Sequence, residues 1–442
     1  MSSRIKEMEC YLERKCLFIF ILNNKNCGLA YNLLLLLSMK KACLLLIVFI
    51  SIFTEAQTIK SVQLRPLNNS QFTPFMPLGA PLLLSFDDLD ADNKEYQYKI
   101  EHMTYDWKPS NLATNQYING FDQNYLNDVT NSFNTLQNYT HYKLVIPNQN
   151  TVITKSGNYL ISILDTNDTV IFKRRFVLYE NLTQVGVAVF RSRDVNRSDK
   201  DHLVQLIVNY PNIRINNPAQ DIKISIIQNG QWNFLINNIT PSFYKPNQLV
   251  YNDTNLLNFE ANNEYLNFDT KNIRMSNLNI AHVERKQLFE TYLYTQTPRK
   301  ETSYTYQPDI NGAFVINSVE ANDNSTEADY SRVHFSLSVT EPYLNKDIYV
   351  YGAFNNYKLT PENKMLFNPA KNTYDISIVL KQGFYNYGFT TLDSNKTLSL
   401  STVDGSYFET ENEYTVFIYY RPFGEVYDRV IGMGQGYFNQ NR

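Results

Sequence analysis

Apolar and polar side chains alternate one by one along this chain, and that spacing favours strands. Tyr96, Tyr98 and Ile100 alternate with Gln97, Lys99 and Glu101, and Val333, Phe335, Leu337 and Val339 fall on every second position. A period of two puts one set of side chains on one face of a pleated strand. Leu203, Gln205 and Ile207 continue the pattern, and nothing between residues 181 and 295 sustains a helical period of 3.6. Turn residues punctuate the runs: Asn167-Asp168 separates two strands, and Asn229-Gly230 joins Asp221–Gln228 to Trp232–Ile236 as a tight hairpin. Strands of five to nine residues with such turns predict an all-β chain of tandem immunoglobulin-like or early-set β-sandwich domains.

At 442 residues the chain is long enough for two to four domains. The strand pattern predicts a first sandwich over 57–180, a middle one over 181–325 and a C-terminal one over 326–442. Tyr and Phe, 33 and 27 in number, suit strands and half-buried surfaces where a ring packs and a hydroxyl finds a partner. The first unit holds the densest segment. Leu82–Phe86 is an apolar run, Asp87, Asp88, Asp90 and Asp92 crowd a turn, and Trp107-Lys108-Pro109 ends the following strand. A long aromatic loop from Tyr117 to Phe133 comes next. Loops of this length in a compact domain are usually functional or packed by their own side chains.

The leader reads separately. Met39-Lys40-Lys41, the apolar run that follows and Thr54-Glu55-Ala56 have the form of a signal peptide over 39–56, cleaved before Gln57. Residues 1–38 read as a mis-called upstream extension. All four cysteines, Cys10, Cys16, Cys27 and Cys43, precede residue 57, so the exported body can form neither a disulfide nor a thiolate zinc site. Seven of the 40 basic and four of the 43 acidic residues also lie there, leaving 33 and 39 in the body. A mildly acidic chain without a basic stripe argues against a nucleic-acid partner.

Motifs for chemistry are sparse. Asp88, Asp90 and Asp92 imitate the start of a calcium loop, but Asn93 and Lys99 stand where an EF-hand needs Gly and Glu. His102, His141, His202, His282 and His334 are too far apart in sequence for any paired-histidine motif and read as packing residues. No nucleophile elbow or phosphate loop occurs. Gly432, Gly434 and Gly436 have no following helix and read as a loose chain end. The expectation is a protein that is not an enzyme and needs no cofactor or metal.

Several long strings resemble the plug protein family of the type IX secretion system of Bacteroidota. They are SFDDLD, IEHMTYDWKPSNL, YINGFDQNYLNDVTNSFNT, the segment Asn209–Trp232 and the segment Tyr407–Gly432. The resemblance implies a periplasmic subunit, exported by its signal peptide. It would dock on the giant outer-membrane translocon β-barrel and seal the periplasmic opening when no cargo is in transit. The mature chain would have no membrane span of its own. Tyr105, Trp107, Tyr117 and Phe121 on the aromatic loop are the residues expected to meet the partner. A second resemblance bears on the last unit. DIYVYGAFNNYKLT and GFYNYGFTTLD are similar to carbohydrate-binding modules of glycogen-active enzymes, although Tyr357 stands where sugar-binding members carry Trp. The alternative function is therefore a secreted carbohydrate-binding module array, with Tyr357, Tyr385 and Tyr387 stacking on sugar rings.

Overall fold

The computed structural model describes residues 58–68 and 71–439. The leader, including the signal peptide read over 39–56, lies outside the described residues. Strands dominate, and no described helix exceeds four residues. None is long and apolar enough to cross a membrane.

The strands form three two-sheet sandwiches. In the first, one sheet has the order Ile59–Pro66, Leu82–Asp88, Thr140–Ile146, Asp128–Asn131. The facing sheet runs Phe75–Pro77, Val170–Tyr179, Gly157–Leu164, Gln97–Met103, Gln123–Tyr125. Between them Phe86 stacks on Tyr142 at 5.0 Å and meets Phe172 and Tyr96 edge-on. Tyr98 and Ile100 are buried, as their alternation requires, and Gln97 and Lys99 are half-buried. Every residue of Leu82–Asp88 is buried, on both faces of the strand. One face belongs to this core, and Asp87 on the other meets the third sandwich.

Chain order and domain order part company after residue 180. The middle sandwich pairs Gln184–Arg191, Asp201–Asn209, Gln248–Tyr251 and Phe243–Lys245 in one sheet. Its second sheet is Ile236–Asn237, Ile222–Gln228, Asn412–Tyr420 and Arg429–Phe438. The last two strands of the chain thus return to the middle sandwich, with Ile222 opposite Tyr420. The third sandwich is built from strands between Leu266 and Ser399, inserted into the second. Strand pairing therefore redraws the consecutive divisions 181–325 and 326–442. Alternation marks a strand but not its partner, and this pairing spans an entire domain.

Two local readings also change. Asn229 and Gly230 both have positive φ, 49° and 65°, the backbone of a type I′ turn. However, the returning strand is Ile236–Asn237, because Trp232–Phe234 forms a 3₁₀ turn that carries Trp232 toward Trp107. The C-terminal glycines are not a loose end. They lie in the strand Arg429–Phe438, against Gln184–Arg191.

Three interfaces hold the sandwiches together. First and middle share a buried cluster of Phe75, Val177, Ile227, Phe417, Tyr419 and Val430. First and third share a buried ion pair, Lys381 Nζ to Asp87 Oδ2 at 2.7 Å. Middle and third are linked where Tyr351 donates to Gln231 Oε1 at 2.9 Å and Asn233 Nδ2 to the Tyr357 carbonyl at 2.9 Å.

Candidate partner interface

The residues expected to meet a partner divide by where the first sandwich puts them. After the strand Gln97–Met103, the chain makes a tight turn closed by Thr104 N to the Lys108 carbonyl at 2.7 Å. Trp107, at φ 63°, sits in the left-handed region that Trp rarely adopts. The turn aims its ring at the middle sandwich, where it meets Trp232 edge-on at 4.7 Å, while the Arg175 guanidinium of the first sandwich lies over it at 4.7 Å. Tyr105 is tied down from both ends. Its N–H donates to Asp428 Oδ2 at 2.9 Å, and its hydroxyl to Asn238 Oδ1 at 2.8 Å. Tyr105 and Trp107 therefore act inside the molecule, as a clamp between first and middle sandwiches.

Tyr117 is buried in the first core and donates to the Ile100 carbonyl at 3.3 Å. Burial raises its phenol pKa. Of the four, Phe121 stands in solvent, 66% exposed. Tyr125 and Phe133 on the same loop are 53% and 71% exposed. Sequence reasoning passed over these two because irregular aromatic spacing does not distinguish a packed ring from a presented one. Trp107→Ala is expected to cost about 2 kcal/mol in a denaturant melt, less than a fully buried Trp because the ring is half-buried. Phe121→Ala should leave the melt unchanged within about 0.5 kcal/mol.

The other candidate groups are paired or packed within the protein. Lys94 supplies the cation of the acidic turn, with Nζ 3.1 Å from Asp88 and 3.8 Å from Asp92, and it also pairs with Asp90. His202 bonds the Tyr414 hydroxyl at 2.9 Å and the Phe408 carbonyl at 2.7 Å. His102 is packed among Tyr117, Tyr159 and Tyr427, and burial lowers its pKa to about 4. Tyr385 and Tyr387 lie in the core of the third sandwich, where Tyr385 stacks between Phe268 and Phe314. Tyr357 leans on Tyr351 and bonds the Asn311 carbonyl at 3.2 Å. Tyr385 and Tyr387, expected to stack on sugar rings, are thus buried in the third core, and Tyr357 is half-buried beside Tyr351.

The fold and the loop thus define a protein of three joined β-sandwiches, with internal aromatic clamps and exposed aromatics on one loop. Residues 59–180 match the family model described as the type 9 secretion system plug protein 1st domain. The chain carries that domain in its first sandwich. The match ties it to type IX secretion and to the cell envelope. A crystal structure of a hypothetical protein from Parabacteroides merdae ATCC 43184 superposes at a TM-score of 0.83 with 29% identity. The match covers 86% of this chain and 98% of that one. No curated protein matches the chain.

Proposed function

We propose that this chain is a periplasmic plug subunit. It docks on the giant outer-membrane translocon barrel and seals its periplasmic opening when no cargo is in transit, without catalysis or cofactor. The observation that carries the reading is the welding of three sandwiches into one body. Separate domains on a chain usually move relative to one another unless a substantial apolar interface joins them. Here an aromatic cluster, a buried ion pair and a domain insertion all oppose such motion. A stopper must keep its shape against an opening wide enough for folded cargo, so stiffness is the property the task demands. Release needs only that cargo or another partner lower the free energy of the docked state relative to the free one.

The exposed Phe121 and Tyr125 are the loop residues this reading assigns to the barrel. The test is isolation of the native outer-membrane assembly from cells expressing the tagged full chain. Co-migration with a very large barrel is expected. Phe121→Ser with Tyr125→Ser should reduce recovery several-fold while leaving the melt intact. A chain that runs free beside an intact barrel would rule the reading out. Unchanged recovery of the double variant would reject the placement.

A further inference from the structure

Where the three sandwiches meet, a cleft of about 330 Å³ opens between the strand Ile59–Pro66, the turn Asn229-Gly230 and the loop carrying Tyr357. A volume of that size is at the lower end of those that hold small ligands. Arg65, Arg174 and Arg175 all line it. Among the described residues, none of the three has a carboxylate oxygen within 4.0 Å.

The surroundings of these arginines are unusual for structural cations. Arg175 lies over two rings, 4.7 Å from Trp107 and 5.6 Å from Trp232. That stacking fixes the guanidinium plane and leaves its N–H edge for an acceptor. Arg174 lies 5.2 Å from the Phe172 ring and makes one hydrogen bond, to the Lys173 carbonyl at 3.0 Å. Burial pulls its pKa down to about 10. Lys358 is also held below the ordinary range, by burial and then by the charge of Arg174. Glu413 is the carboxylate in the lining, and its Oε1 is already taken by Thr415 at 3.0 Å and Gln435 at 2.9 Å. Burial raises its pKa, which favours its neutral form.

A set of partly desolvated cations with no counter-charge costs folding free energy. It is the arrangement expected where the counter-charge arrives from outside. Apolar walls at Phe72, Phe314 and Tyr357 flank the arginines. From this geometry we infer that the cleft receives an acidic peptide segment from a partner, with a carboxylate on Arg174 and Arg175 and an apolar side chain against the walls. A free inorganic anion would use the guanidinium groups but not those walls. The inference concerns binding by the chain alone and does not depend on where the chain docks.

The test is calorimetric titration of the purified full chain with a blocked hexapeptide that alternates aspartate and phenylalanine. A matching peptide with asparagine for aspartate and inorganic phosphate serve as the other two probes. The acidic peptide is expected to bind, the asparagine peptide at least tenfold more weakly, and phosphate not at all at the same concentration. Arg174→Gln should weaken the acidic peptide about tenfold, the effect of losing one charge-assisted hydrogen bond. Arg65→Gln, on a different strand, provides a second variant if Arg174→Gln folds poorly, with a several-fold loss expected. Equal binding of both peptides would reduce the cleft to an apolar groove and overturn the inference. Binding of phosphate without the peptide, or of none of the three, would overturn it too. Failure here leaves co-migration with the barrel untouched, and failure of co-migration leaves this titration untouched.

Discussion

Asp87→Ala is expected to lower the unfolding free energy of the chain by about 3–5 kcal/mol, the usual cost of stripping one partner from a buried ion pair. The carboxylate sits at the centre of the contact between first and third sandwiches. Its Oδ2 accepts from Lys381 Nζ at 2.7 Å and from the Tyr330 hydroxyl at 2.6 Å, and its Oδ1 contacts His141 Nδ1 at 2.6 Å. Lys381 and Asp87 are both almost inaccessible, 2% and 1% exposed. The ammonium also donates to the Ser325 carbonyl at 2.7 Å and lies 4.0 Å from the Tyr139 ring. Neither neighbour supplies a full negative charge, so removing Asp87 leaves a cation that burial already disfavours. Asp87→Ala combined with Lys381→Met removes both charges and should recover most of the loss. Tyr330→Phe should cost about 2 kcal/mol, because its hydroxyl bonds both the Asp87 carboxylate and Ser61 Oγ at 2.8 Å. The measurement is a denaturant melt of the full chain for all three variants. A loss below about 1 kcal/mol for Asp87→Ala would mean that water reaches Lys381 and that the two sandwiches are not sealed against each other.

Much of the architecture was readable because a strand writes its two faces into its sequence. Tyr96 to Glu101 and Val333 to Val339 alternate, and the buried members are those the alternation selects. What the sequence lacks is pairing across distance. Asn412–Tyr420 looks the same whether its neighbour is the preceding strand or Ile222–Gln228. The site was harder to read for a related reason. Trp107 and Phe121 are both loop aromatics among polar residues, yet one is clamped on Trp232 and the other faces solvent. The difference lies in a neighbouring domain, which no local period encodes. Asp87 likewise reads as one acid of a solvated turn. Its strand gives no sign that Lys381, from another sandwich, arrives on its outer face. Arg174 and Arg175 are too few to make a basic stripe in the sequence, and their cleft exists only once three domains converge on it.

Gly434→Val should be nearly as damaging, by about 3 kcal/mol, at the upper end of overpacking costs. Gly434 has no positive φ, so close approach and not backbone freedom is what demands glycine there. A Cβ placed on it would lie 2.7 Å from Val185 Cβ and 2.8 Å from the Val185 carbonyl oxygen. Gly436 faces Val187 in the same way, at 2.9 Å from each of the corresponding atoms. The strands Arg429–Phe438 and Gln184–Arg191 belong to different sheets of the middle sandwich, and the bare glycine face lets those sheets close at this corner. Valine cannot relieve the contact by a change of rotamer, because the obstacle includes main chain. The strand must move, and the same strand carries Val430 into the interface with the first sandwich and Arg429 to Glu180 at 2.7 Å. Met433→Leu, a volume-conserving change toward that interface, should cost less than about 1.5 kcal/mol. A melt of the two variants side by side separates close packing from general sensitivity of the strand. If Gly434→Val melts with the parent protein, the two sheets have room to spare, and the alternating glycines need another explanation.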